Sequence, residues 1–225
     1  MFKKAVLILT CILSGIVVLN SLLPGVVVSQ HGSDRYEIKV YVGDPDRAKP
    51  LERPFYRFLR HNTLRGLCGR LDLVEALVLF GDFNSPIEAE ERLKTFQALE
   101  LFVSNPETTG GGGTFISEGE TIVEAYDRWV IEHLQVLEKM ENLRIAQGLK
   151  TDDLKVEKKS TTEGKIKIIA IRVRGAPDKI VNLISKKGIS LVDPLFNEKA
   201  ENIAKERQVK VQYLCIPQRP DGKPF

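Results

Sequence analysis

Hydrophobic and polar positions alternate along this chain in three ways, and each predicts a different kind of element. The first is an uncharged run, Ala5–Val28, reading AVLILTCILSGIVVLNSLLPGVVV behind Met1-Phe2-Lys3-Lys4. It holds fifteen Leu, Ile and Val residues, each contributing roughly −0.3 to −0.6 kcal/mol at a bilayer centre. About twenty residues of helix cross the hydrocarbon, so the run is long enough to span. Lys3 and Lys4 place its N-terminus in the cytoplasm and send the remainder outside. A cleaved signal peptide is the competing reading, with Ala5–Leu19 as its apolar core and Val27 and Ser29 before the cut. Both readings export the rest of the chain and assign residues 1–29 to the membrane or to export.

The second pattern is alternation or short apolar runs. Arg35–Val42 (RYEIKVYV) alternates with period two and predicts a strand with one buried face. Leu71–Phe80, Leu99–Val103, Ile166–Val173, Ile189–Val192 and Val209–Ile216 predict further strands. The third is helical. Phe55–Leu67 follows a Pro-punctuated loop. Ser85-Pro86-Ile87-Glu88 is a capping box with proline at the first helical position, opening a helix to about Gln97. Ser117-Glu118-Gly119-Glu120 reads as a second capping box, opening the longest helix, to about Gln147. Its apolar stripe is Ile122, Tyr126, Trp129, His133, Val136, Met140 and Leu143, widened by Val123, Val130, Leu134 and Leu137. Pro177 starts another helix that Gly188 stops, and Asp193-Pro194 is expected to cap one running to about Arg207. Asn105–Thr114 (NPETTGGGGT) lacks the Gly-Lys-Ser/Thr ending of a phosphate loop and is expected to be a mobile connection. Residues 150–165 are polar and charged and are expected to be an exposed linker.

These elements predict an α+β protein. The segments 34–149 and 166–225 read as two lobes of ferredoxin-like β-α-β units on either side of the linker, with helices on one face of mixed sheets.

Charge and chemistry narrow the function. The net charge is +3, and the two N-terminal lysines account for most of it, which gives no support to a nucleic-acid partner. Cys68 and Cys215 are read as two small free side chains, with a disulfide between them as the alternative in an oxidising compartment. Neither CxxC, HExxH, GxSxG nor SxxK occurs, so no catalytic residue, metal or cofactor is assigned. Arg53, Arg57 and Arg60 fall at i, i+4 and i+7, a candidate surface for anionic headgroups or wall polymers. A solvated helix face has the same spacing. His133 lies on the apolar side of the long helix and is expected to be satisfied within the core.

Two stretches carry a family resemblance: VEALVLFGDFNSPIEAEERL at Val74–Leu93 and IIAIRVRGAPDKIVNLI at Ile168–Ile184, with a Trp-bearing helix between them. With the N-terminal anchor, this layout resembles the C-terminal extracytoplasmic domain of membrane-bound anti-sigma factors of Gram-positive bacteria. The resemblance implies a single-pass membrane protein whose outer domain senses or binds a protein partner without turnover. It departs in one respect, because the cytoplasmic segment is only Met1–Lys4, too short to hold a sigma factor. An oligomerising subunit of an envelope assembly and a secreted enzyme of unfamiliar type remain as alternatives.

Overall fold

The computed structural model describes residues 26–31, 35–43, 53–70, 72–108 and 110–221. Among the described residues, eight strands and six α-helices follow one another: β1 (Val26–His31), β2 (Arg35–Val42), α1 (Tyr56–Leu67), β3 (Val74–Asn84), α2 (Pro86–Leu93), β4 (Gln97–Ser104), β5 (Gly111–Phe115), α3 (Ile122–Ala146), α4 (Asp152–Thr162), β6 (Lys167–Gly175), α5 (Pro177–Val181), β7 (Ile189–Pro194), α6 (Glu198–Arg207) and β8 (Val211–Cys215). Short 3-10 turns lead into α1 and follow α5. The expected α+β class is what the described residues form.

Five strands make one sheet in the order β5-β4-β6-β3-β7, and every neighbouring pair is antiparallel. The order interleaves two crossovers. β3 and β4 run the same way with β6 between them, and β6 and β7 run the same way with β3 between them. The segments 34–149 and 166–225, read from sequence as separate lobes, therefore contribute alternate strands to one sheet. A second, three-stranded sheet, β1-β2-β8, is antiparallel at β1/β2 and parallel at β2/β8.

Both faces of the larger sheet are covered, so its central strands carry runs of consecutive buried apolar residues. Along β3, Ala76, Val78 and Phe80 enter a core shared with Leu93, Ile122, Tyr126 and Trp129 of α2 and α3. Leu77 and Leu79 enter a second core with Ile38, Val40, Ala200 and Ala204 of the smaller sheet and α6. β6 does the same. Its run Ile168-Ile169-Ala170-Ile171 is fully buried, Ile168 and Ile171 in the first core and Ile169 and Ala170 in the second, and an irregularity in the pairing with β4 shifts the alternation between faces there.

Several boundaries differ from the sequence expectation. The membrane run was read to Val28, but Val26–Val28 pair with Ile38–Val40 as the first half of β1; three consecutive β-branched residues suit a strand as well as a bilayer. The rest of that run lies outside the described residues. No described helix is long and apolar enough to cross a membrane.

The second helix ends at Leu93, not Gln97, and its expected capping box is formed: Ser85 N donates to Glu88 Oε2 at 2.8 Å, and Ser85 Oγ accepts from Glu88 N at 3.3 Å. The long helix opens one turn later than expected. Ser117–Glu120 is a turn with Gly119 at φ +81°. Thr121 and Glu124, the next residues with the same spacing, form the box instead. The cap of α6 is Asn197, whose side chain accepts from Ala200 N at 3.1 Å, rather than Asp193-Pro194, which end β7.

The expected linker is helix α4. Its inward face carries Leu154, Glu157, Ser160 and Thr161, all buried, at helical spacing. Polar residues form most of that face, so no hydrophobic period announces the helix. The expected mobile loop likewise contains strand β5, which pairs with β4 from Glu100↔Phe115 to Ser104↔Gly111.

Candidate functional site

Arg60 is the starting point, because the sequence placed it on an exposed stripe. Tyr56, Arg60, His61, Leu64 and Leu67 form the buried face of α1, while Arg57 is exposed. Arg60 is 1% exposed and forms an ion pair with Asp193, itself fully buried, and also donates to the Pro194 carbonyl. Asp193 Oδ2 accepts from Tyr56 OH at 2.6 Å and from Gly43 N at 2.8 Å. Arg60 therefore does not share a solvent face with Arg57. It ties α1 to the end of β7 and, through Asp193, to the end of β2. Burial opposes the guanidinium charge, but Asp193 more than offsets it. Burial, with Asp193 adjoining, moves the Tyr56 hydroxyl well above its ordinary range. Breaking such a pair is far costlier than the pair's net worth, because the remaining charge stays buried.

The adjoining His61 closes the sheet edge. Its Nε2 accepts from the Val192 backbone N–H at 3.2 Å, so the imidazole is neutral at that nitrogen. Burial first, then Arg57 and Arg65, lower its pKa to about 4.

A second polar cluster lies where α3 and α4 meet the turn before β5. Glu157 of α4 accepts from Asn105 Nδ2 at 3.0 Å and from the Thr108 hydroxyl, and Asn105 Nδ2 also reaches Ser160 Oγ at 2.9 Å. His133 stacks on Trp129, ring centroids 4.5 Å apart, and its Nε2 faces Glu157 Oε1 at 3.6 Å. That is an ion-pair distance, too long for a hydrogen bond, and both atoms are buried without a hydrogen-bond partner. His133 is expected to be satisfied within the core; it is instead half-buried, stacked on Trp129, with its Nε2 unpartnered. Burial opposes the Glu157 charge, yet His133, Thr108 and Asn105 hold its carboxyl below the usual range.

The glycines of the turn belong to this cluster. A Cβ on Gly110 would sit 2.1 Å from Glu157 Oε1, and one on Gly113 would sit 3.1 Å from the Leu101 carbonyl. Gly110 and Gly113 lie where carboxylate and strand pass closely, so glycine there does not require mobility. Arg219 fastens the far side of the turn, donating to the Thr108 carbonyl at 2.7 Å and the Asn105 carbonyl at 3.0 Å.

Two apolar features among the described residues bear on function. On α3 the stripe is buried through Trp129, but Val136, Met140 and Leu143 are 49%, 41% and 59% exposed. The expectation that one stripe buries its whole length fails there, because the helix of 25 residues, roughly 37 Å long, outruns the sheet beneath it. Beyond Trp129 only Leu137 of this helix is buried. The other feature is a cavity of about 500 Å³ lined by Phe102, Gly111–Gly113, Cys215, Ile216 and Pro217. Cys68 and Cys215 are both free thiols. Burial, then Glu100, pushes the Cys215 thiol up to about 12, which keeps it a packing group at neutral pH.

Compared with protein-family models, with curated proteins and with solved structures, the chain has no match. The functional reading therefore rests on these surfaces.

Proposed function

We propose that the protein is a non-catalytic binding or sensing module, tethered to a membrane by its N-terminal segment and working on the outer side. The observation that carries this is the outer half of α3, where Val136, Met140 and Leu143 continue the buried stripe into solvent. An unpartnered apolar helix face is the ordinary way such an element meets another protein. Residues 5–25 remain ahead of β1, matching the roughly twenty needed to cross a bilayer. The resemblance to extracytoplasmic anti-sigma domains supports a regulatory role. The strand order β4-β6-β3-β7 with its two interleaved crossovers supports reading the core as ferredoxin-like, with β5, α3 and α4 inserted.

Met140→Glu with Leu143→Glu tests the proposal, both sites being too exposed for the change to unfold the protein. In cells, crosslinking and pull-down of the variant should lose the partners recovered with wild type, while far-UV circular dichroism stays the same. Unchanged partners would remove this face from consideration. Protease added to intact protoplasts should degrade the folded domain; full protection would place it inside and end the extracytoplasmic reading.

A further inference from the structure

We propose that β5 pairs antiparallel with β5 of a second copy, centred on Gly113, joining two five-stranded sheets into one. Asn105 N donates to the Gly110 carbonyl at 2.8 Å, and Ile116 N donates to the Leu99 carbonyl at 2.9 Å. Even-numbered residues of β5 thus turn their backbone groups to β4, and Gly111, Gly113 and Phe115 turn theirs outward. No described residue pairs with the outward groups of Gly111 or Gly113, on which the pairing rests; the Phe115 carbonyl accepts from Arg128 Nη2 at 2.7 Å and from Thr114 Oγ1 at 3.5 Å.

The strand itself contains no charge, no proline and no bulge, and Arg128 of α3 reaches only its Phe115 end, whereas β7 at the opposite edge is covered by α1 and capped by His61.

Self-complementarity identifies the occupant. Gly111, Gly113 and Phe115 share a face with Phe102, since Phe102 is opposite Gly113 in the register. That face opens on the apolar cavity walled by Ile216 and Pro217, while Phe115 stands 69% exposed at its end. In an antiparallel pair centred on Gly113, residue 115 of each copy lies opposite residue 111 of the other, on the same face. Each Phe115 then covers a position without a side chain and enters the partner's cavity. No ionisable group lines that cavity except the thiol of Cys215, and no like charges meet across the pair. The contact is isologous, so it closes at two copies.

The full chain, purified in a mild non-ionic detergent, should show a concentration-dependent monomer–dimer equilibrium by sedimentation velocity. Phe115→Lys should weaken the dimer by at least about tenfold. Ile87→Lys, at a site 63% exposed on α2, should leave it unchanged. Circular dichroism and the fluorescence of the single Trp129 should match wild type in both variants. A monomer at every concentration, a dimer that survives Phe115→Lys, or equal loss in both variants would each overturn the proposal. None of these outcomes depends on the face around Met140.

Discussion

Asp193 is the residue through which most of the molecule is joined. It holds Arg60, Tyr56 and the Gly43 amide at once. Asp193→Ala would leave Arg60 charged and unpaired in a site with 1% exposure, and should destabilise by about 3–5 kcal/mol. Urea midpoints of wild type and variant measure this, and a loss below about 1 kcal/mol would mean that water reaches the guanidinium. His61 makes a pH-dependent contribution of determinable sign. Its folded pKa, about 4, lies below the ordinary 6.5. Between those values the unfolded chain binds a proton that the folded chain does not, so stability rises with pH. The contribution is complete above pH 6.5 and is lost as pH falls toward 4, by roughly 3 kcal/mol in all. His61→Gln retains an acceptor for Val192 and should flatten that part of the stability–pH curve; an identical slope in the variant would assign the acid sensitivity elsewhere.

At the scale of elements, α3, α4 and the glycine turn act as one unit. Trp129 is 7% exposed in the core beneath α3, and Trp129→Ala should cost about 3–5 kcal/mol. Gly110→Ala drives a methyl against Glu157 and should cost about 1–3 kcal/mol. The same change in a Glu157→Ala background should cost much less, because the clash partner is gone. A double-mutant cycle by chemical denaturation reads this directly, and strict additivity would show that the turn adjusts independently of α4. The capping boxes illustrate what sequence pattern conveys at this scale. Ser85/Glu88 is legible because its hydrogen bonds are local. Ser117/Glu120 has the same spacing and forms a turn, since Gly119 takes a left-handed conformation that ends any helix there.

At the scale of the whole molecule, interleaved strands have a thermodynamic consequence. With β6 between β3 and β4, and β3 between β6 and β7, neither half of the chain can keep its sheet when the other unfolds. Urea unfolding should therefore be a single transition, coincident when followed by Trp129 fluorescence and by far-UV circular dichroism. Two separated transitions would restore the division into lobes at residues 150–165.

The sequence by itself determined what depends on neighbours along the chain. Period-two alternation located β2, short apolar runs located β3, β4, β6, β7 and β8, and Ser85-Pro86 located the start of α2. These signals sufficed for the α+β class because backbone geometry and local hydrogen bonds produce them directly. Only the tertiary structure decided what depends on residues far apart. Arg60 and Asp193 are 133 positions apart, so the helical spacing of Arg53, Arg57 and Arg60 carried no sign that one of them is buried. Glu157, Ser160 and Thr161 are buried against Asn105 and the turn, and α4 thus reads as solvent-facing until its partner is in place. The glycine tract reads as flexible for the same reason, since the atoms that crowd Gly110 and Gly113 come from α4 and β4. Periodicity reports which positions avoid water by being apolar, and it is silent where burial is achieved by pairing polar groups.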